Sequence, residues 1–481
     1  MNIRAVLRLL GALILFLSGT LLIPVPLGLF DGDSSHWAFI TAALTGAFGG
    51  LALFGWTRNS HIELGHREGF AIVTLGWVFF GLVGALPYYF AGSVPTFVDA
   101  VFESISGFTT TGATILTDIE ILPRSLLLWR ALTHWMGGMG IIVLSLAILP
   151  FLGVGGMQLF RAEVPGPTAD RLSPRIQDTA KLLWGVYVGL TAAEVVLLMF
   201  GGMDWFEAVC HAFATLATGG FSTKNASVGG FNSSYIEYVI TVFMFLAGVN
   251  FTLHFAWLTG KPLKAFRNEE FRWYTLISLG AILFLVLFNS FGVYDSLADN
   301  IRYSSFQAVS IMTTTGFGTA DYELWSFGCQ VLLLLLMFIG GSAGSTGGGA
   351  KVSRVLLIVK HAGVQIWRLV HPHGVKRVKL DGRPVPETVL QSILGFFALY
   401  LLLTGGASVI IAAMGVEPVT AAASVIASIG NIGPGLGEVG PTDNYAHLPE
   451  MGKALLAFCM LAGRLEIFTV LALFYPGFWR R

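Results

Sequence analysis

Charge is scarce in this sequence. Only 12% of its 481 residues are Asp, Glu, Lys or Arg, whereas a soluble domain carries about 25%. A chain so poor in charge and 54% hydrophobic, with a mean hydropathy of +0.73, needs a solvent other than water. Formal net charge is zero, so the overall balance does not point to nucleic acid, and no such partner is expected. Cysteine is nearly absent: Cys210, Cys329 and Cys459 sit far apart in apolar stretches. That excludes a disulfide framework and metal-ligand spacing, and leaves the three as packing residues. His134, His211 and His254 are isolated in apolar segments and read as satisfied core histidines. His371-Pro-His373 lies in a basic loop without further ligands at metal spacing. No convergent nucleophile, acid or metal set is present, so a membrane-embedded enzyme is not expected.

What is abundant is glycine (59), phenylalanine (38) and long apolar runs. A span takes about 20 apolar residues. The sequence predicts spanning helices at 5–28, 37–57, 69–91, 126–150, 182–201, 235–258, 272–292, 325–360 (interrupted), 389–414 and 449–474. Arg4 and Arg8 before the first run are compatible with a signal peptide. No small-residue cleavage pattern follows and Pro24-Val-Pro26 closes the run, so a retained span is expected. Four shorter apolar segments, near 99–111, 204–217, 302–314 and 418–430, are too short to cross and read as re-entrant half-helices. Asp99 and Asp204 are placed to cap two of them, Asp204 in a capping box with Glu207.

Loop charge orients the chain. Arg58 and Arg67; Arg161, Arg171, Arg175 and Lys181; Lys261, Lys264, Arg267 and Arg272; and Lys360, Arg368, Lys376, Arg377, Lys379 and Arg383 fall on one side, with Arg480 and Arg481 at the end. The alternate loops, such as Asp31-Gly-Asp33 and Glu438–His447, are acidic or nearly free of positive charge. The positive-inside rule puts both termini in the cytoplasm and hangs all four short segments from the outer face. The basic loops suit either anionic membrane lipid or a cytosolic partner.

The short segments are repeats. The first ends in Thr109-Thr110-Thr111-Gly112 and the third in Thr313-Thr314-Thr315-Gly316. The second, Ala217-Thr218-Gly219-Gly220, is looser; the fourth, Gly430-Asn431-Ile432-Gly433, keeps little beyond glycine. Extended backbone at membrane depth survives only when buried in protein or facing water. Four glycine-bearing loops around one axis can turn carbonyl oxygens inward and replace the hydration shell of K⁺.

These motifs resemble the pore-loop signatures of the Trk/Ktr/HKT superfamily of potassium transporters, over nearly the whole chain. The extra pair of spans at 5–57 makes the bacterial Trk branch the most similar. The resemblance implies an all-α integral membrane protein of the bacterial inner membrane. It has four M1–pore loop–M2 repeats around one pore, K⁺ as the transported ion, and two extra N-terminal helices. The segments are 1–68, the extra helices; 69–150, repeat 1; 182–258, repeat 2; 272–360, repeat 3; and 388–474, repeat 4. A homodimer and a cytosolic NAD/ATP-binding regulatory subunit, TrkA, are further implications. Carried over, the filter glycines are Gly112, Gly219, Gly316 and Gly433, with Gly220 a rival in the second loop. Thr110, Thr111, Thr218, Thr314, Thr315, Asn431 and Ile432 supply neighbouring carbonyls. In the HKT branch a Ser in place of the first filter glycine goes with Na⁺ transport, so Gly112 favours K⁺.

The interruption in the eighth span runs from Gly340 to Lys351. Each Gly costs a helix about 1 kcal/mol relative to Ala, so this run cannot stay helical. A phosphate-cradling loop is a poor match: Ala350 precedes Lys351, Val352 follows, and no strand leads in. A close-packed small-residue helix contact is the plain structural reading. The resemblance instead implies a gating loop beneath the filter, with Gly344, Ser345, Thr346, Gly347, Gly348 and Gly349 at its centre and Lys351 positioning it. Arg464, with Glu466 beside it, lies deep in the last span, where a charge costs at least about 2.5–3.5 kcal/mol. It serves either packing through a salt bridge or the pore beneath the filter. Glu103 and Glu194 are further intramembrane charges, for pairing or for the ion path. A secondary transporter coupling K⁺ to H⁺ or Na⁺ is the rival mechanism. It would want inverted halves, whereas these repeats run in one orientation.

Overall fold

The computed structural model describes residues 1–57, 65–147, 172–260, 266–290 and 292–479. Arg58, Arg161, Arg171, Lys261, Lys264, Arg480 and Arg481 from the orientation argument, and positions 148–150 of the fourth predicted span, lie outside the described residues.

The chain is a bundle of helices with its polarity turned outside in. Phe48 (79% exposed) and Leu402 (71%) face outward, while Thr110, Thr111, Thr314, Thr315 and Asn431 are buried at the centre. An apolar exterior around a polar middle is stable in hydrocarbon, where every backbone polar group must be satisfied internally. Among the described residues, six helices are long and apolar enough to cross a membrane, and one bent pair adds a seventh. This is a multi-pass membrane protein.

Two spans precede the repeats. Helices α1 (Ile3–Thr20) and α2 (Val25–Asp31) form the first, joined through Pro24, and α3 (Ser35–Trp56) the second. Leu17 and Leu21 pack with Phe39, Ala42, Ala43 and Ala85 against the first repeat.

Repeat 1 comprises α4 (His66–Phe90), α5 (Phe97–Phe108) and α6 (Arg124–Ala147). Repeat 2 comprises α7 (Leu172–Phe200), α8 (Trp205–Leu216) and the pair α9 (Ser234–Ala247) and α10 (Phe251–Leu258). Repeat 3 has α11 (Glu269–Asn289), α12 (Leu297–Met312), α13 (Phe327–Ile339) and α14 (Val352–Val370). Repeat 4 has α15 (Glu387–Ala413), α16 (Pro418–Gly430), α17 (Glu450–Arg464) and α18 (Ile467–Ala472). The half-helices α5, α8, α12 and α16 are 12 to 16 residues long, too short to cross. In the basic loop before α15, a minimal hairpin pairs β1 (Lys379–Leu380) with β2 (Arg383–Pro384).

Breaks in the second helices are more numerous than hydropathy indicates. The expected break at 340–351 separates α13 from α14, but α9 and α10 also meet at 102° and α17 and α18 part at Leu465–Glu466. Asn250 starts α10 as its N-cap, accepting from Thr252 N at 2.9 Å. The α5 cap also differs from expectation. Thr96, not Asp99, takes that role, accepting from Asp99 N at 3.2 Å, because the helix begins one turn earlier. Asp204 does cap α8, at 2.6 Å from Glu207 N, while the Glu207 side chain pairs with Lys224 at 3.2 Å.

Candidate functional site

All four half-helices end the same way. Thr110, Thr218, Thr314 and Asn431 adopt left-handed backbone, with φ of 52°, 54°, 61° and 54°. The next N–H then reaches back five residues: Thr111 to Ser106 O (2.9 Å), Gly219 to Ala214 O (2.8 Å), Thr315 to Ser310 O (2.9 Å) and Ile432 to Ala427 O (2.9 Å). This is a Schellman closure, usually made by glycine, here made by three threonines and an asparagine. Such a conformation costs a non-glycine residue about 1–3 kcal/mol and persists only where the surroundings enforce it.

Two residues on, the chain turns left-handed again at Gly112 (φ 80°), Gly220 (81°), Gly316 (81°) and Gly433 (95°). The second-loop equivalent of Gly112 is therefore Gly220, not Gly219. Gly219 occupies the place of Thr111, Thr315 and Ile432, and the expected glycine assignment shifts by one residue.

These glycines interlock. A Cβ on Gly112 would overlap Gly219 O, one on Gly220 Thr315 O, one on Gly316 Ile432 O, and one on Gly433 Thr111 O. Each loop thus rests the carbonyl before its glycine against the glycine of the preceding loop, and the fourth loop closes on the first. The outer segments follow the same cycle. Arg130 Nη1 donates to Ser222 O (3.1 Å), Gly229 N to Gly318 O (3.1 Å), Tyr322 Oη to Gly435 O (2.7 Å) and Tyr445 N to Thr114 O (2.8 Å). Every adjacent pair of repeats is tied. A buried ion pair, Lys453 Nζ to Asp99 Oδ1 at 2.6 Å, adds to the seam between repeats 4 and 1.

The glycine-rich segment lies directly against the inner ends of these loops. Gly348 N donates to Thr314 Oγ1 (2.6 Å), Gly349 N to Gly430 O (3.0 Å), and Thr346 Oγ1 to Leu216 O (2.9 Å). Leu216 and Gly430 are the last residues of α8 and α16, so the segment satisfies carbonyls that a helix end leaves open. Left-handed φ at Gly340, Gly344 and Gly349 folds it there, and Lys351 shares that region at 76°. Lys351 Nζ bonds Gly347 O, inside the segment. The break between α9 and α10 meets it: Ser342 N donates to Gly248 O (2.9 Å) and Phe251 N to Gly344 O (3.1 Å). Arg464, 3% exposed at the end of α17, donates from Nη1 to Thr346 O (2.7 Å) and from Nη2 to Gly137 O (3.4 Å). Its guanidinium therefore spans the segment and α6. Glu466 pairs with Arg354 rather than Arg464.

Sequence reasoning missed Glu270, whose Oε1 accepts from Ala343 N (2.7 Å) and Ser353 N (3.1 Å) and anchors both ends of the segment. Its letter in an acidic first helical turn carried no other signal. Glu103 is structural: it accepts from Arg130 Nε (2.9 Å) and Ile115 N (3.0 Å), bracing the first loop from behind. Glu194 is buried beside Thr215 of α8. His211 and His254 are bonded as expected, to Glu207 O and Ser222 Oγ and to Leu246 O. His134 is not: among the described residues neither ring nitrogen has a hydrogen-bond partner.

Fold and site together define a multi-pass helical membrane protein in which four helix–half-helix–helix units close around a common centre. A family model described as TrkH, a cation transport protein, matches residues 34–480. The chain belongs to that family. Across the full length of both chains it is 46% identical to the Trk system potassium uptake protein TrkH of Salmonella typhimurium, and equally to that of Escherichia coli K12. Identity to the TrkG potassium uptake protein of E. coli K12 is 38%, covering 100% of this chain and 99% of the relative. The crystal structure of the potassium transporter TrkH from Vibrio parahaemolyticus superimposes with a TM-score of 0.92 at 39% identity, covering 100% of each chain. These relatives are potassium uptake proteins rather than enzymes.

Proposed function

We propose that this chain takes up K⁺ across the bacterial inner membrane through one central pore, as the membrane subunit of a Trk system. The cyclic interlock of Thr111, Gly219, Thr315 and Ile432 carbonyls with the glycines of adjoining loops carries the reading. Four equivalent carbonyls around one axis can substitute for the water lost by a K⁺ ion. Thr110, Thr218, Thr314 and Asn431 lie one residue before those carbonyls and set their direction. The four half-helices end at the same centre, and their C-terminal partial charges favour a cation.

The Gly340–Lys351 segment is the gate. It bonds the inner ends of loops 2, 3 and 4, and Arg464 holds it to the first repeat while placing a positive charge below the filter. K⁺ is cargo, bound through main-chain oxygen. The loop charges favour cytoplasmic termini; a TrkA-type regulatory subunit that binds NAD or ATP at the basic face, and a homodimer, are proposed on the family resemblance alone.

The test is K⁺ flux through purified protein in liposomes. A K⁺-selective flux that grows linearly with driving force and exceeds Na⁺ flux is expected. Saturating flux that follows an imposed H⁺ or Na⁺ gradient would replace the pore with coupled transport, and equal K⁺ and Na⁺ flux would remove the filter.

A further inference from the structure

The second filter strand lacks the side chain that Thr111, Thr315 and Ile432 give the other three. Behind the first and third strands stands a pair of hydroxyls, Thr109 with Thr111 and Thr313 with Thr315, each pair 2.8 Å apart. The second loop has Ala217 and Gly219 at those places and can form no such pair. Gly219 is not required by its own backbone either. Its φ lies outside the left-handed region that Gly112, Gly220, Gly316 and Gly433 occupy, so any L-residue could adopt it. What forbids a side chain is the imidazole of His134, from α6 of the first repeat. A Cβ at position 219 would overlap its Nδ1, Cγ and Cε1.

We propose that His134 is a positioning residue of the ion pathway, its ring standing in for the side chain that position 219 lacks and holding the second strand's carbonyl in the ring. The inference rests on the filter reading above.

The surroundings of the ring support this role. His134 is fully buried and stacks on Phe221, with centroids 4.1 Å apart and planes 14° from parallel. One turn earlier on α6, the Arg130 guanidinium lies 4.0 Å from the centre of the same Phe221 ring and donates to Ser222 O at 3.1 Å. Glu103 fixes Arg130 in turn, at 2.9 Å. Residues four apart on a helix share a face, so α6 grips the strand 219–222 at both ends, with Phe221 against both side chains. A buried polar ring normally has a hydrogen-bond partner, and one without calls for an explanation. Here the explanation is shape. A flat ring fits between Gly219 and Phe221, where interior packing tolerates no void. A carbonyl that drifts changes both cavity size and field, the two quantities on which cation selectivity depends.

The experiment compares K⁺, Rb⁺ and Na⁺ flux in liposomes for the full-length protein, His134→Ala, Gly219→Thr, the double variant Gly219→Thr/His134→Ala, and Gly316→Ser as a filter control. The double variant recreates at position 219 the residue that the first and third loops carry. Each single variant at 134 or 219 should lower the K⁺ to Na⁺ ratio by about fivefold or more, the scale of coupling between residues in contact. The double variant should return closer to wild type than either. A purely structural role would change the amount of protein and not the ratio. If Gly219→Thr fails to insert, recovery of insertion on adding His134→Ala supports the pairing, and continued failure refutes it. Wild-type ratios in His134→Ala and Gly219→Thr alongside an altered ratio in Gly316→Ser would overturn the role of His134 and leave the filter. An additive loss in the double variant would overturn it too, and an unchanged Gly316→Ser would overturn the filter and this inference together.

Discussion

Removing Arg464 should open the pore without changing what it selects. In the structure its guanidinium makes one good bond to the glycine segment, Nη1 to Thr346 O at 2.7 Å, and one long bond to Gly137 O at 3.4 Å. A hydrogen bond to a charged group contributes about 1.5–3 kcal/mol, and the long one adds little. Arg464→Ala therefore costs the closed arrangement about 2 kcal/mol. At 1.4 kcal/mol per factor of ten, that shifts the closed-to-open ratio about 30-fold. With the gate mostly closed at rest, basal flux rises by up to that factor. Arg464→Lys should give a smaller rise, because it keeps the charge and a donor for Thr346 O while losing the planar fork. Shortening Gly344–Gly349 removes the Thr346 acceptor, so its effect and that of Arg464→Ala should not add. The assay is Rb⁺ uptake into liposomes with matched amounts of folded protein, with the Rb⁺ to Na⁺ ratio recorded alongside. Wild-type flux in folded Arg464→Ala would refute the gate, and fully additive increases would leave a gate but detach Arg464 from it.

Three further outcomes are expected. Gly112→Ser or Gly316→Ser should relax K⁺ over Na⁺ discrimination, because a side chain at either left-handed glycine meets the next loop's carbonyl; ion ratios in flux assays on folded protein decide it. Cysteine labelling should find Asn268 and Gly374 accessible from the cytoplasm and Ser34 and Asn444 from outside, and labelling of Asn444 from inside alone would turn the fourth repeat over. Asp99→Ala strands Lys453 in a buried site, which should destabilise the fold by about 3–5 kcal/mol. Asp99→Ala/Lys453→Met should recover most of that loss in a detergent thermal-unfolding assay.

Long apolar runs and the punctuation between them were legible from composition, because membrane thickness fixes element length. The predicted half-helix at 418–430 matches Pro418–Gly430, and the span at 389–414 matches Glu387–Ala413 within two residues. Local hydrogen bonding was less visible. The runs 235–258 and 449–474 are each apolar enough on average to read as one span, and hydropathy cannot register that Gly248 O and Phe251 N are bonded to the glycine segment instead of to their own helix. Register in the second loop was undetermined for a plainer reason. Gly219 and Gly220 are the same letter, and only φ separates the one that needs a left-handed turn from the one that makes room for His134. His134 itself is a single polar letter on an apolar helix, and its partner lies in the next repeat. Arg464 was conspicuous by the cost of its burial; Glu270, at a helix start where acids are common, was not.

The most direct measurement of the central claim is the anomalous scattering of Tl⁺ or Rb⁺ in crystals of this protein grown with either ion in place of K⁺. Density is expected on the axis of the four loops, inside the ring of Thr111, Gly219, Thr315 and Ile432 carbonyls, and should vanish when Na⁺ is exchanged in. Ion density elsewhere with none at that ring would contradict it.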